Sequence, residues 1–128
     1  MGILIDTSVI IDYLRRKDIT NSWFYKLSLK TEPLSISIIT HAELYSGRSV
    51  YKSPKNKKLL DDIISKLDVI SLDLSISALA GRIKSKLNIS LLDCLIGATA
   101  IKSDLRLATL NTKHFVGMKG LALVKPTK

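Results

Sequence analysis

The sequence predicts an α/β fold, a three-layer α/β/α sandwich around a mainly parallel sheet of four or five strands. Two observations carry this prediction. Short apolar runs alternate with stretches of helical periodicity along the whole chain. The first run is continuous rather than alternating, as in strands that are buried on both faces. Parallel neighbours need crossover connections, and right-handed crossovers place helices on both sides of the sheet.

The N-terminal region is predicted to contain the first strand and the first two helices. Residues 1–5 form an apolar run that ends abruptly at Asp6, and residues 8–16 show apolar positions spaced along one helical face. Thr7 or Ser8 is suited to cap that first helix. A second helix is predicted over residues 20–30.

The middle of the chain repeats this alternation of strand and helix. Pro33 prevents a helix from continuing, so residues 34–38 are predicted as the second strand, and helical periodicity resumes after Thr40. Residues 51–58 are rich in lysine and are predicted as an exposed loop. The elements predicted after that loop are a helix over 59–67, a strand over 69–72 and a helix over 76–87.

The C-terminal region is predicted to hold one buried helix and the last strands. Ser90 starts a helix whose interior, residues 91–100, is apolar nearly all round, which indicates burial against the sheet. Residues 105–110 supply the fourth strand. Residues 121–124 are a candidate fifth strand, which leaves the sheet with four or five strands.

Length and composition indicate one globular domain over residues 1–128. The chain has 46% hydrophobic and 24% charged residues, the proportions of a folded domain of ordinary size. The apolar stretch 91–101 contains Asp93 and is too short to cross ~30 Å of hydrocarbon, so no membrane segment is expected. The lone Cys94 excludes an internal disulfide, and the N-terminus shows no targeting signal, so a cytoplasmic location is expected.

The charge of the chain favours a polyanionic partner. Its formal net charge is +9, from 20 Lys and Arg against 11 Asp and Glu. Such an excess attracts nucleic acid, although it also aids solubility. Five lysines are candidate contacts to the phosphates of a nucleic acid: Lys52, Lys55, Lys57, Lys58 and Lys113.

Three acids are predicted on the edge of the sheet where ligands bind. Asp6 directly follows strand one, Glu43 lies in the first helical turn after strand two, and Asp93 lies near the start of the buried helix. Ligands of open α/β sheets bind beyond the carboxyl ends of the strands. Helix capping is the alternative, since Thr40 with Glu43 and Ser90 with Asp93 both match a capping box, and Asp6 could cap the first helix.

A divalent cation would offset the repulsion among carboxylates gathered at one edge. Oxygen donors without a cysteine pair or an HExxH motif favour Mg²⁺ or Mn²⁺ over zinc. Magnesium typically bridges carboxylates to a substrate phosphate, and metal-assisted phosphodiester hydrolysis requires no catalytic histidine. His41 and His114 are therefore interpreted as surface or structural residues, and Cys94 as a buried apolar one.

Four segments in order resemble the PIN-domain ribonucleases, most closely the VapC-type toxins of type II toxin–antitoxin systems. They are Ile3-Leu-Ile-Asp-Thr-Ser8, Ser37-Ile-Ile-Thr-His-Ala-Glu-Leu44, Leu92-Asp-Cys-Leu-Ile-Gly-Ala-Thr-Ala100 and Ala108-Thr-Leu-Asn-Thr-Lys-His-Phe115. The resemblance spans nearly the whole chain. It implies a Mg²⁺- or Mn²⁺-dependent endoribonuclease with a PIN-like fold, an RNA substrate, a small cognate antitoxin and a homodimer.

The resemblance also implies roles for individual residues. Asp6, Glu43 and Asp93 match the metal-binding and catalytic acids, while Thr7, Ser8 and Thr109 match supporting hydroxyls around them. The chain departs from the pattern at Asn111, where many relatives place a fourth acid. An asparagine can coordinate through its carbonyl oxygen or hold a water, but one negative charge is missing, which puts a second metal ion in doubt.

The sequence leads to two hypotheses of function. The first is a metal-dependent endoribonuclease that hydrolyses RNA phosphodiester bonds and acts as the toxin of a toxin–antitoxin pair. The alternative is a non-catalytic PIN-fold module that binds RNA or protein and has lost cleavage together with the fourth carboxylate.

Overall fold

The computed structural model describes residues 2–126. Apart from two short 3-10 helices, the regular elements of this part are seven α-helices and four strands. In chain order they are β1 (Ile3–Ile5), α1 (Thr7–Arg15), α2 (Trp23–Ser28), β2 (Leu34–Ser37), α3 (Ile38–Tyr45), α4 (Pro54–Ile64), β3 (Asp68–Ile70), α5 (Leu74–Lys86), α6 (Leu91–Lys102), β4 (Arg106–Ala108) and α7 (Thr112–Phe115). Met1, which the sequence assigns to the first strand, lies outside the described residues. No helix within residues 2–126 has the length and apolarity needed to cross a membrane.

The sheet is parallel throughout, with the strand order β3-β2-β1-β4. β1 occupies an interior position, where Ile3 pairs with Leu34 on one side and with Arg106 on the other. The predicted α/β fold with a mainly parallel sheet is therefore confirmed. The candidate fifth strand is reduced to a single parallel bridge between Leu107 and Leu123.

Helices cover both faces of this sheet, as the continuous apolar run of β1 requires. Successive side chains of a strand point to opposite faces, and Ile3 and Ile5 pack in one core cluster while Leu4 packs in another. The first cluster includes Val9 of α1, and the second includes Ile96 of α6. All three residues of β1 are fully buried. The three-layer arrangement thus follows from a strand with no polar side.

Several element boundaries differ from those that the sequence predicts, because serine side chains cap helices at positions that the apolar pattern does not mark. Ser22 accepts a hydrogen bond from the backbone of Tyr25 and starts α2, so the expected helix over 20–30 is split into a short 3-10 turn and α2. The second strand was expected to reach residue 38, but the Ser37 side chain caps α3, which already begins at that residue.

The lysine-rich segment 51–58 is largely helical, which corrects the expectation of an exposed loop there. Ser53 caps α4 and Pro54 occupies its first position, a combination that favours a helix start. Lys55, Lys57 and Lys58 therefore lie on the first turns of α4.

Candidate active site

The candidate site lies at the carboxyl edge of the sheet, where three neighbouring strands end. Asp6 directly follows β1, α3 begins directly after β2, and Thr109 directly follows β4. Because β2, β1 and β4 are adjacent and parallel, their carboxyl ends meet at one edge, the usual ligand-binding position of such sheets.

Asp6 is a buried carboxylate held by two hydroxyl groups. Only 3% of the residue is exposed. Its Oδ2 atom accepts hydrogen bonds of 2.7 Å from the hydroxyls of Ser8 and Thr109. Those hydroxyls are fixed in turn, because the Leu110 N–H donates to Ser8 Oγ and the Asn111 N–H donates to Thr109 Oγ1. Within residues 2–126, Oδ1 of Asp6 receives no hydrogen bond, so it remains available to a ligand.

Asp6 does not act as a capping side chain. It occupies the N-cap position of α1, yet its carboxylate makes no hydrogen bond to the backbone of that helix. The capping alternative, which the sequence leaves open for this residue, is therefore wrong. Within residues 2–126, the two hydroxyl hydrogen bonds are therefore the side-chain contacts that offset the burial of this anion.

Glu43 is tied to the residue that follows Asp6. Thr7 donates from Oγ1 to Oε1 of Glu43 over 2.7 Å and lies 3.0 Å from Oγ1 of Thr40. Since a hydroxyl has one proton, Thr7 donates to the carboxylate and accepts from Thr40. These contacts join the start of α1 to α3 and hold the half-buried Glu43 at Thr7, the residue that follows Asp6 in the chain.

The expected capping box of Thr40 and Glu43 is absent, because α3 begins earlier than the sequence predicts. Ser37 provides the cap of α3 and accepts a hydrogen bond from the Ile39 N–H. Thr40 thus lies inside the helix, and Glu43 lies in its second turn rather than its first. Its carboxylate therefore has no role at the helix start.

Asp93 forms half of its predicted capping box. Its N–H donates to Oγ of Ser90, which caps α6. The Asp93 carboxylate does not return a bond to the helix start; its Oδ2 atom lies 3.1 Å from Nδ1 of His114 on α7. From the sequence His114 is predicted as a surface or structural residue, and its contact with Asp93 is not, because the four-residue α7 gives little periodicity from which to place a side chain.

A chain of contacts connects the Asp6 and Asp93 carboxylates. It runs from Asp6 through Thr109 to the backbone N–H of Asn111. The Asn111 carbonyl accepts from the His114 N–H over 2.9 Å, and the His114 ring contacts Asp93. The exposed Asn111 side chain forms no cap on α7. The structure therefore connects Asp6 with Asp93 by one run of contacts, and Glu43 is joined only to Thr7, the neighbour of Asp6 in the chain.

These acids are not preassembled into a metal cage. Within residues 2–126, no three His, Cys, Asp or Glu side chains are grouped closely enough to hold a metal ion. The chemistry of the donors nevertheless fits Mg²⁺ or Mn²⁺, because all three candidate ligands are carboxylates and Asp6 is buried without an Arg or Lys partner in the described residues.

The lysines that the sequence nominates for RNA contact differ in their availability. Lys57 and Lys58 form ion pairs with Asp61 and Asp62, over 2.9 and 3.4 Å. A hydrogen bond to Asp61 raises the pKa of Lys57. Other lysines in the set are exposed and form no ion pair within residues 2–126; these are Lys52, Lys55 and Lys113.

Two further residues have structural surroundings. The ring of His41 packs against Tyr45, with centroids 4.8 Å apart. Cys94 is fully buried, and burial raises the pKa of its thiol. A neutral, buried thiol is a poor nucleophile, which agrees with its interpretation as an apolar residue.

Comparison with known proteins gives consistent matches over most of the chain. Residues 3–119 match the family model described as PIN domain. The chain is 35% identical over 118 residues to Ribonuclease VapC10 of Mycobacterium tuberculosis, covering 88% of this chain and 85% of that protein.

The fold of this chain is similar to that of single chains in solved structures of toxin–antitoxin complexes. VapBC2 from Rickettsia felis, bound to a DNA fragment from its promoter, contains a chain that matches with a TM-score of 0.83 and 26% identity, covering 97% of this chain and 98% of that one. A toxin-antitoxin complex from Klebsiella pneumoniae matches with a TM-score of 0.78 and 26% identity, covering 99% of each chain.

Proposed function

The chain belongs to the PIN domain family, and from that premise we propose that it is a metal-dependent endoribonuclease and the toxin of a toxin–antitoxin pair. The observation that carries this proposal is the buried Asp6 carboxylate, which has one oxygen free of described donors and no described cation beside it. A run of contacts joins Asp6 to Asp93, and Thr7, which follows Asp6, donates to Glu43. The relative in Mycobacterium tuberculosis is itself named a ribonuclease.

Asp6, Glu43 and Asp93 are the proposed ligands of Mg²⁺ or Mn²⁺. A divalent ion bound there would lower the pKa of a water and stabilise the charge that develops on the phosphate during hydrolysis. The work of the surrounding residues is positional. Ser8 and Thr109 hold Oδ2 of Asp6 and leave Oδ1 free, Thr7 orients Glu43, and His114 orients Asp93.

The remaining chain favours RNA as the polyanion that reaches this edge. The net charge of +9 attracts phosphates from solution. The acids of the site are exceptions in this basic chain, and an ion bound among them would remove their repulsion of the substrate. Asn111 contributes no charge, so the proposed site holds one ion rather than two.

The proposed partner is a cognate antitoxin. The structural neighbours from Rickettsia felis and Klebsiella pneumoniae are described as VapBC and toxin-antitoxin complexes, and the same kind of partner is proposed for this chain. A homodimer, which the family resemblance implies, and a cytoplasmic site of action, which the lone Cys94 favours, complete the proposal.

The direct test is RNA cleavage with and without added Mg²⁺ or Mn²⁺. Asp6→Asn and Asp93→Asn should each abolish cleavage, because each removes a charged ligand while keeping the shape of the side chain. Asp12→Asn is the matched control on α1, since Asp12 pairs with Arg16 on the same helix. Metal-dependent cleavage that survives in both site variants would refute the assignment.

A non-catalytic binding module is the second candidate, and two observations favour it. The described residues contain no ready three-ligand cage, and Asn111 lacks the charge of a fourth acid. A calorimetric titration of the protein with Mn²⁺ distinguishes the two candidate functions. Saturable binding that is lost in Asp6→Asn supports the nuclease, whereas no saturable binding supports the module.

A further inference from the structure

A cleft with an apolar floor, here called the α5–α7 cleft, lies between α5 and the segment that follows α7. Its volume is about 420 Å³, within the range of ligand sites, ~300–1,000 Å³. The floor is formed by Leu79, Ile83 and Leu87 from α5 and its end, and by Met118 from the opposite wall. Met118 is buried, whereas the three α5-side residues are only half-buried.

The rim of this cleft is positively charged. Arg82, Lys86 and Lys119 line it, all three are exposed, and none forms an ion pair within residues 2–126. No acid lines the cleft. Arg82 and Lys86 are four residues apart on α5, where like charges face each other and repel. An anion in the cleft would relieve this repulsion.

A second groove, between α2 and α4, has a different charge pattern. That groove includes two lysines, but it also includes Glu32 and Asp62. Its charges therefore balance within the lining, whereas those of the α5–α7 cleft do not.

The cleft adjoins the candidate active site through two short segments. Gly117, in its wall, is three residues after His114, which contacts Asp93. Three residues of chain span at most about 11 Å. On the other side, Leu87 is three residues before Ser90, the cap of the helix that includes Asp93. Both walls of the cleft thus lead directly to the Asp93–His114 contact.

We propose that the α5–α7 cleft binds single-stranded RNA next to the bond that is cut. Arg82, Lys86 and Lys119 pair with backbone phosphates, and a base packs against the aliphatic side chains and Met118 of the apolar floor. This inference rests on the proposed nuclease function. Continuity with Asp93 favours RNA over an acidic protein segment, because a strand that enters the site has to continue along one of its borders.

The test measures binding of a fluorescent oligouridylate to the wild-type chain in EDTA, so that binding is read without cleavage. Arg82→Gln, Lys86→Gln and Lys119→Gln are combined in one variant. Its control combines Lys17→Gln, Lys30→Gln and Lys66→Gln, which remove the same charge from exposed residues outside the cleft. All six side chains are exposed, and the urea midpoint of each variant checks that it is folded.

The cleft variant should lose affinity far more than its control. Each phosphate contact of a single strand contributes about −0.7 to the slope of log K against log salt, so three lost contacts reduce the steepness of that slope by about 2. Between 1 M and 0.1 M salt, this corresponds to about a 100-fold loss of binding affinity. The control should keep a slope close to that of the wild type.

Three results would overturn the inference. The first is an equal loss of oligouridylate affinity in both triple variants, and the second is no oligouridylate binding by the wild type. The third comes from a parallel measurement with poly-glutamate: a cleft variant that binds RNA as the wild type does but no longer binds poly-glutamate would assign the cleft to a protein. A failure of the nuclease proposal is distinct from these: it is absence of metal-dependent cleavage by the wild type, which this binding measurement does not involve.

Discussion

The substitution Asp6→Asn is expected to separate stability from metal binding. Ser8 and Thr109 both donate to the same carboxylate oxygen, Oδ2. An amide oxygen placed there can accept both bonds, since it has two lone pairs. The substitution therefore keeps the hydrogen-bond pattern and the shape of the side chain, and it removes the buried charge.

The two energy changes oppose each other. Hydrogen bonds to a charged acceptor contribute about 1.5–3 kcal/mol and neutral ones about 0.5–1.5 kcal/mol, so two weakened bonds cost about 2–3 kcal/mol. Relief of the desolvation of a carboxylate that is only 3% exposed returns several kcal/mol. In EDTA, Asp6→Asn should therefore be at least as stable as the wild type.

Metal reverses the order of the two proteins. Mn²⁺ at 100 times its dissociation constant stabilises the protein that binds it by about 2.7 kcal/mol. The wild type should gain this amount and Asp6→Asn should gain none. The assay is urea unfolding, followed by the fluorescence of the buried Trp23, in EDTA and at several Mn²⁺ concentrations.

The control for this experiment is Asp12→Asn. Asp12 lies on the same helix and pairs with Arg16 at 2.9 Å, an exposed pair of the kind that contributes about 0.3–0.5 kcal/mol. The Asp12→Asn variant should lose that amount of unfolding free energy and should keep the full stabilisation by Mn²⁺. If Asp6→Asn were about 2 kcal/mol less stable than the wild type in EDTA, or kept the response to Mn²⁺, the reasoning about the buried charge would be refuted.

Two further substitutions test a packing contact and a side-chain hydrogen bond. Gly97→Ala should lower the free energy of unfolding by about 1–2 kcal/mol, because overpacking outweighs the gain in helix propensity: a Cβ there would lie 2.3 Å from Sδ of the buried Met118. In a double-mutant cycle, Met118→Ala should cost less in the Gly97→Ala background than alone; equal costs would contradict the clash. Tyr45→Phe should lower Tm at neutral pH, because the Tyr45 hydroxyl holds the pKa of Asp61 below its usual range. A lowered carboxyl pKa stabilises the fold above its unfolded value of about 3.9, so the difference in Tm should shrink as the pH falls below about 4, and a difference independent of pH would contradict this.

The fold was predictable because the apolar pattern of the strands is unambiguous. Ile3, Leu4 and Ile5 are fully buried, and a run with no polar face belongs inside a parallel sheet covered on both sides. Boundaries were less predictable, since they depend on capping serines. Ser22, Ser37 and Ser53 each accept a backbone hydrogen bond, but serines occur throughout this chain and most of them cap nothing.

The candidate site was predictable in its acids and less so in their partners. Asp6 was marked by its position after a buried strand. The bond from Thr109 to Asp6 joins residues 103 positions apart, and no local pattern indicates such a pair. The contact of His114 with Asp93 depends on the placement of α7, whose four residues are too few to show a period.

The interior position of β1 fixes when the molecule can become complete during synthesis. Ile3 is synthesised long before its neighbour in the sheet, Arg106, and Asp6 is synthesised equally long before Thr109. Pairings that are so distant in sequence form late. A nascent chain on the ribosome therefore lacks the finished edge until the segment from Arg106 to Thr109 has been made.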